Sequence, residues 1–462
     1  MTRYRLMQIR LAGALALGLA LGAMPAAANP HEQKLSNGLK VIVKEDHRSP
    51  VVVSQIWYRA GSMDEVNGTT GVAHVLEHMM FKGTHKVPSG EFSRVIAAAG
   101  GRENAFTAQD YTAYFQQLEK SRLPVAFELE SDRMQNLTLS SEEFAKEIKV
   151  VMEERRMRTD DQPHALVHED LMSAVFQVHP YRNPIIGWMT DLESMTAQDA
   201  RDWYERWYAP NNALLVVVGD VNPKEVFALA EKHYGKIRPR TLPARKPQVE
   251  PAQAGIKRLT VKAPGELPYL SMAFHAPVLR DPERDSEPYA LEVLAGVLDG
   301  NASARLNQNL VRESRIAQSV DASYDSTARG PGLFYLSGTP SEGRSVAELE
   351  TALRAEVAKI VKDGVSEEEL NRVKAQVTAA QVYQRDSVFY QAMMIGQFEM
   401  VGLSYRDIDR VVAKIREVTA AQVQEVAKKY LVDDSLTVAV LDPQPLEAKA
   451  PRAPMKGMRH GN

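Results

Sequence analysis

The sequence predicts an α+β fold made of two homologous domains, each with helices packed on a mostly antiparallel sheet. Three observations support this fold class. A helix followed by a strand recurs in both halves of the chain, a proline-rich stretch separates the halves, and short β-prone runs precede the first helical segment. Runs of this kind are Lys40–Lys44 and Val51–Tyr58, which have the length and β-branched content of sheet strands.

The repeat lies near the end of each half. Thr196 opens a helical segment that ends at Trp207 and is followed by the apolar run 214–218, while Thr419 opens a segment that ends at Tyr430 and is followed by 436–440. Both ends of the helical segment are displaced by 223 residues, since 419 − 196 and 430 − 207 give the same number. A helix and a strand repeated at one offset indicate a duplicated domain.

Prolines at 239, 243, 247 and 251 recur at every fourth position between the two halves. Neither a helix nor a central strand tolerates this spacing, so we interpret residues 238–256 as an extended linker that acts as a flexible hinge. The N-terminal domain then covers residues 29–237 and the C-terminal domain covers 257–443. Residues 444–462 are proline-rich and polar, which predicts a disordered tail.

The first 28 residues have the order of a secretory signal peptide. Arginines 3, 5 and 10 precede an apolar run from Leu11 to Ala23, and small residues at 26–28 precede Asn29. The apolar run is short for a membrane span, so we expect cleavage after Ala28, a periplasmic protein and no integral membrane segment afterwards. An uncleaved signal that tethers the chain to the inner membrane is the alternative.

Composition excludes several function classes. The chain has 462 residues, 44% hydrophobic and 25% charged, and its net charge of −3 gives no electrostatic attraction to nucleic acid. It contains no cysteine, which excludes disulfides and a thiol nucleophile. Neither a nucleotide-binding glycine loop nor a serine-nucleophile elbow is present. Function must therefore be argued from a different kind of site.

The segment from Gly71 to Phe81 carries the strongest chemical signal. His74 and His78 are four residues apart and share one face of a helix, so both can bind one metal ion. Glu77 lies on the same side and can take a proton from a metal-bound water. The other positions are apolar on every side, so the helix is predicted to be buried, where unpaired histidines and a carboxylate would be costly. A helix with incidental polar residues is the alternative.

A catalytic zinc site needs a third protein ligand, and the predicted helix Glu142–Arg158 offers two candidates. Helical periodicity places Glu147 and Glu154 on an otherwise apolar face and Glu153 on the solvated side. That predicted face consists of Phe144, Glu147, Ile148, Val150, Val151, Glu154 and Met157. Carboxylates on such a face are normally paired or metal-bound. Pairing with Arg155 or Arg158 remains open at this point.

Two further histidines, His164 and His168, also have a spacing of four residues, but their neighbours are partly charged. A solvated helix face explains them better than a second metal site. His179 is predicted to be structural.

His74-x-x-Glu77-His78 is the inverted form of the commoner zinc-peptidase motif. With its surroundings it resembles the pitrilysin–insulysin family of zinc metallopeptidases, and the size is similar to the branch that contains mitochondrial processing peptidase and its bacterial homologues. The matching segments are Arg59–Ser62, His74–Thr84, Glu103–Thr107, Val150–Arg158, His179–Trp188, Tyr208–Asp220 and, more weakly, Gly300–Tyr324.

The resemblance implies one Zn²⁺ per chain, bound by His74, His78 and Glu154, with Glu77 as general base. Glu147 would support catalysis without binding metal. Asn104 and Ala105 would lie on an edge strand that accepts the substrate backbone as an added strand.

The resemblance also implies that the two domains enclose a chamber and that only the first binds zinc. The positions 223 residues after the three ligands agree, because they hold Val297, Asn301 and Val377. Members of this size usually pair, so a homodimer or a heterodimer with a metal-less homologue is expected.

The function expected from these features is a zinc-dependent endopeptidase of the cell envelope that hydrolyses peptides or unfolded polypeptide segments. A non-catalytic chamber or scaffold subunit, or a peptide-binding protein of the same fold, is the alternative.

Overall fold

The computed structural model describes residues 30–445. The predicted signal peptide and the predicted tail from residue 446 onwards lie outside the described residues. Within the described range, no helix has the length and apolar character that a membrane crossing requires.

The N-terminal domain combines a six-stranded sheet with eight helices. Its strands are β1 His31–Lys34, β2 Lys40–Glu45, β3 Val51–Tyr58, β4 Arg102–Thr107, β5 Thr112–Glu119 and β6 Ala213–Gly219. Its helices are α1 Val72–Met79, α2 Glu91–Ala98, α3 Leu123–Asn136, α4 Ser141–Arg155, α5 Pro163–Val175, α6 Met189–Ser194, α7 Ala197–Trp207 and α8 Pro223–Tyr234.

The C-terminal domain has a five-stranded sheet and six helices. Its strands are β7 Lys257–Pro264, β8 Tyr269–Ala276, β9 Ala317–Tyr324, β10 Gly332–Pro340 and β11 Leu436–Gln444. Its helices are α9 Glu287–Asp299, α10 Val346–Asp363, α11 Glu367–Gln384, α12 Val388–Val401, α13 Ile408–Glu417 and α14 Ala420–Tyr430. Strand β11 therefore includes Gln444, the first residue of the predicted tail.

The two sheets have the same topology. Their strand orders are β1-β2-β6-β3-β5-β4 and β7-β11-β8-β10-β9, so the second order repeats the first without β1. One pair in each sheet is parallel, β2 with β6 and β7 with β11, and the remaining pairs are antiparallel. The α+β class and the duplication predicted from sequence are therefore confirmed.

The sequence repeat has a clear physical counterpart. Thr196 and Thr419 are the N-caps of α7 and α14, and each side chain accepts a hydrogen bond from the backbone N–H three residues on. The side-chain oxygen of the third residue of each helix, Asp199 or Gln422, accepts a hydrogen bond from the backbone N–H of the cap threonine. This reciprocal capping fixes the start of both helices. Of the strands that follow, β6 is buried throughout, and β11 is buried in its first half and partly buried toward its end.

The domains exchange helices across their interface. Helix α5 of the N-terminal domain packs on β7, β8 and β11, and helix α12 of the C-terminal domain packs on β3 and β6. The second contact is close, because a Cβ on Gly396 of α12 would lie 2.1 Å from Cε2 of Trp57. Each domain thus buries one face of its sheet under a helix from the other.

The linker follows an irregular path between α8 and β7, but it is anchored along its length. Arg240 donates to the carbonyl of Tyr204 at 2.7 Å and Arg245 donates to Asp64 at 2.7 Å. The carboxylate of Glu250 accepts the backbone N–H groups of residues 177, 178 and 179 at 2.6, 2.9 and 2.8 Å. Side chains between the prolines thus hold the linker against the N-terminal domain, and the flexible hinge inferred from the prolines stays a prediction.

Candidate metal centre and active-site cleft

Helix α1 begins at a sharply turned backbone that only glycine adopts easily. Gly71 has φ +87°, and a Cβ there would lie 2.5 Å from the carbonyl oxygen of Ile186. The buried carboxylate of Glu65 accepts the N–H groups of Gly71 and Ala73 at 2.8 and 2.9 Å, which satisfies donors at the start of the helix. Burial raises the pKa of Glu65 to about 8, against these two hydrogen bonds.

The three predicted zinc ligands converge. Glu154 of α4 lies between the histidines of α1, with its Oε2 3.3 Å from Nε2 of His78 and its Oε1 3.9 Å from Nε2 of His74. Tetrahedral ligands placed about 2.1 Å from zinc stand about 3.4 Å from one another, so these spacings suit the ion. Two imidazoles and one carboxylate are also a common catalytic zinc donor set. Among residues 30–445, His74, His78 and Glu154 form the single group with metal-site spacing.

Helix α4 differs in part from its prediction. It ends at Arg155 and continues as a π-turn, Arg156–Asp160, instead of running regularly to Arg158. Val150 and Met157, assigned to the apolar face, are 50% and 54% exposed. The buried face is therefore narrower than predicted, although Glu147 and Glu154 do point inward and Glu153 is exposed.

Of the two arginines suggested as partners of the carboxylates, Arg158 pairs with one of them and Arg155 does not. Glu154 pairs with Arg158 at 2.7 Å, whereas Arg155 turns away and binds Glu169 at 2.8 Å. The Arg158 side chain is 76% exposed, so this ion pair does not enclose Glu154. Its carboxylate remains available to a metal ion.

Glu147 holds the second histidine by its other nitrogen. Its Oε1 lies 2.9 Å from Nδ1 of His78, and its Oε2 accepts from Lys82 at 2.6 Å. A proton on Nδ1 leaves Nε2 of His78 free to bind the metal, which is the orientation that carboxylate partners impose on metal-binding histidines. Glu147 thus contacts the predicted ligand His78 and lies outside the group of His74, His78 and Glu154.

The charges of this group shift its pKa values strongly. Burial opposes a charged His78, but the carboxylates of Glu147 and Glu154 outweigh burial and raise its pKa to about 9. Burial and the neighbouring His78 lower the pKa of His74 to about 4. The hydrogen bond with His78 lowers the pKa of Glu154, which keeps this carboxylate ionised.

Glu77 points toward the same space from α1. Its Oε2 accepts a hydrogen bond from the hydroxyl of Thr107, the last residue of β4, at 2.5 Å. Burial raises the pKa of Glu77, and this hydrogen bond opposes the rise. Thr107 lies inside a segment that supported the family resemblance, but sequence reasoning assigned it no role.

A cavity of about 620 Å³ opens beside these groups. We call it the cleft; it is bounded by α1, β4, the start of α5 and the segment 181–186. Strand β4 is the outermost strand of its sheet, and Asn104 and Ala105 both line the cleft. The cleft therefore contains an unpaired strand edge close to His74, His78 and Glu154.

The remaining histidines have other surroundings. His164 stacks on Tyr269 with ring centroids 4.1 Å apart, and His168 lines the cleft. His179 is buried, and its Nδ1 accepts the backbone N–H of Tyr181 at 3.2 Å.

The C-terminal domain contributes a largely buried arginine that sequence reasoning missed. The Arg329 guanidinium donates to Asp64 at 3.0 Å and to the carbonyl of Asp110 at 3.0 Å. Tyr181, at the rim of the cleft, donates to the Asp110 carboxylate at 2.5 Å and accepts the N–H of Gly330 at 2.8 Å. No sequence pattern marks this network, because its members are distant along the chain.

Comparison with known proteins agrees with this geometry. Residues 40–188 match the model of the insulinase family, peptidase family M16, and residues 194–377 match the model of the peptidase M16 inactive domain. The chain is 28% identical over 433 residues to the zinc protease PqqE of Helicobacter pylori, covering 92% of this chain and 96% of that protein.

Two further similarities extend over most of the chain. A protein of Mycobacterium tuberculosis described as an uncharacterized zinc protease is 31% identical over 443 residues, covering 93% of this chain and 97% of that one. The crystal structure of a protease from Helicobacter pylori superposes with a TM-score of 0.85 at 27% identity, covering 90% of this chain and all of that one. His74, His78 and Glu154 all lie in the half that matches the insulinase model. This chain therefore belongs to the M16 peptidase family, which is also called the pitrilysin family.

Proposed function

We propose that this protein is a zinc-dependent endopeptidase that hydrolyses peptides or unfolded polypeptide segments. The observation that carries the proposal is the convergence of His74, His78 and Glu154, from two helices, beside the carboxylate of Glu77 in an open cleft. When bound, zinc supplies a Lewis acid that lowers the pKa of a coordinated water to about 7.

Each residue of the group has a distinct role in the proposal. His74, His78 and Glu154 hold the ion, and Glu147 orients His78 through its Nδ1. Glu77 accepts the proton of the attacking water and later delivers it to the leaving amine. Burial raises the pKa of Glu77, which strengthens this carboxylate as a base for the first of these steps.

The substrate class follows from the shape of the cleft. Strand β4 offers the backbone at Asn104 and Ala105 to an extended chain, which would add as a further strand. Peptides and unfolded segments present such a backbone readily, whereas most of the backbone of a folded protein is already paired.

A non-catalytic scaffold or peptide-binding subunit is the competing proposal. Such a protein would be expected to lack one of the zinc ligands or the general base. In this chain the three proposed ligands converge, with Glu77 and Glu147 beside them.

Glu77→Gln tests the proposed activity. Gln keeps the size of the side chain but cannot accept the proton, so turnover of a mixed peptide library should fall about 10²–10⁴-fold while zinc content is unchanged. Glu153→Gln, on the exposed side of α4, is the matched control and should leave both quantities unaltered. A wild-type protein that binds zinc and peptides without cleaving them would favour the competing proposal.

The site of action and the assembly are proposed on separate grounds. The charged, apolar and small-residue order of residues 1–28 supports export to the periplasm, and a mature N-terminus near Asn29 would test it. The length of the chain supports pairing, because family members of this size usually pair, and a second copy or a metal-less homologue would then close the chamber. Native mass spectrometry would distinguish a homodimer, a heterodimer and a monomer.

A further inference from the structure

We propose that Thr107 is a positioning residue for the general base Glu77, and that its hydroxyl fixes the rotation of the Glu77 carboxylate. This inference rests on the proposed peptidase function. It adds a group that neither binds the ion nor touches the bond to be cleaved.

The geometry of the hydrogen bond carries the inference. The Thr107 hydroxyl lies 2.5 Å from Oε2 of Glu77, in the range of strong O–H···O⁻ bonds. A carboxylate held through one oxygen keeps the lone pairs of the other oxygen for the water. Without that bond the last torsion of a glutamate side chain is broad and roughly twofold, so the base would sample unproductive orientations.

The donor itself is held firmly. Thr107 ends β4 and is paired in register with Thr112 of β5, so its backbone is part of the sheet. A β-branched side chain on a strand has few χ1 rotamers, which makes threonine a stiffer donor than serine. The same strand carries Asn104 and Ala105, so the surface proposed to receive the peptide and the hydroxyl that orients the base move as one unit.

A structural role is the alternative, because threonine is also a good strand residue. The two roles differ in what they predict for catalysis. A structural threonine would affect stability and zinc content, whereas a positioning threonine affects the rate constant of the chemical step. The chain offers a matched control in Thr112, whose buried hydroxyl donates to the carbonyl of Ala60 at 3.0 Å and lies on the paired strand.

The test compares Thr107→Val, Thr107→Ser and Thr112→Val in the full zinc-loaded protein. Thr107→Val keeps the side-chain shape without the hydroxyl, so kcat on a quenched-fluorescence peptide should fall about 10–100-fold, the range found for groups that orient metal-site residues. KM and zinc content should stay within about twofold of wild type. Thr107→Ser should restore kcat to within about threefold, because it returns the donor.

Thr112→Val should lower the melting temperature without lowering kcat, which separates sheet stability from catalysis. A crystal structure of Thr107→Val should show the Glu77 carboxylate rotated from its wild-type position. Unchanged kcat in Thr107→Val, loss of zinc from it, or failure of serine to restore the rate would each overturn the inference. A wild-type protein without zinc-dependent hydrolysis would instead overturn the proposed function.

Discussion

Replacing Glu147 by glutamine removes one negative charge beside His78 while preserving the side-chain shape. The carboxylate contacts Nδ1 of His78 at 2.9 Å and Lys82 at 2.6 Å, so in the proposed zinc site it would orient His78 and increase the basicity of this ligand. Partners of this kind are typically worth 10–100-fold in metal affinity or activity, which is about 1.4–2.7 kcal/mol. Because Gln retains one acceptor for His78, we expect the variant to purify with zinc but to lose it about 10–100-fold more readily.

The assay is competition with a chelator of known affinity, combined with peptide hydrolysis on the zinc-saturated variant. Glu154→Gln should bind zinc far more weakly than Glu147→Gln, since two histidines alone leave too few protein ligands. Glu153→Gln, which is paired with Arg156 on the exposed side, should match wild type in both measurements. Equal zinc affinities for the Glu147 and Glu153 variants would refute the reasoning, and loss of zinc from the Glu153 variant alone would show that the ligand is misassigned.

Two further predictions concern the domain interface and the proton balance of the site. Arg329→Met should lower the free energy of unfolding by about 3 kcal/mol, which is the lower end of the range for breaking a buried ion pair, because Asp64 keeps its second partner Arg245. Urea denaturation measures this change. Arg284→Met, at a side chain that is 87% exposed, is the control and should leave the free energy of unfolding unchanged. Binding of zinc to the metal-free protein at pH 7.5 should release about one proton from His78, whose pKa is about 9, as calorimetry in buffers of different ionisation enthalpy would detect. The pKa of His78 lies above its ordinary value of 6.5, so protonated His78 stabilises the metal-free fold fully below pH 6.5, and this stabilisation is lost as pH rises through 9. Proton release and stability that do not change with pH would contradict this prediction.

Local sequence patterns predicted the elements that depend on local physics. Strand β3 has the predicted bounds Val51–Tyr58, and the threonine caps of α7 and α14 start both helices where the repeat indicates. Helix α1 was predicted to be buried because it is apolar all round, and its five apolar positions up to Met79 are indeed buried. In each of these cases, residues close in sequence determine the conformation.

The periodic pattern of α4 failed at two positions. Val150 lies on the periodic apolar stripe of α4 yet is exposed, and the π-turn after Arg155 changes the helical phase that placed Met157 inward. A periodicity argument assumes a regular helix with one wide buried face, and neither assumption holds at this end of α4. The two carboxylates were placed correctly because they precede the π-turn.

Side-chain partners of the site were also beyond sequence reasoning. The hydroxyl of Thr107 reaches Glu77 only because β4 lies beside α1, an arrangement that depends on sheet order. Likewise, Arg329 meets Asp64 and Asp110 across the domain interface. Such contacts join residues 30 to 265 positions apart, and no spacing rule connects them.

The packing of α5 and α12 across the domain interface bears on whether the two domains of one chain can separate. The proline spacing of the linker suggested two domains that move apart within one chain, but α5 and α12 each lie buried on the sheet of the opposite domain. Separating the domains would expose both apolar contacts and break the Arg329 network, at a cost of many kcal/mol given about 25 cal/mol per Å² of apolar surface. These contacts therefore oppose separation of the two domains within one chain. If the protein binds peptides as proposed, we expect them to enter through the open side of the cleft, without separation of the two domains.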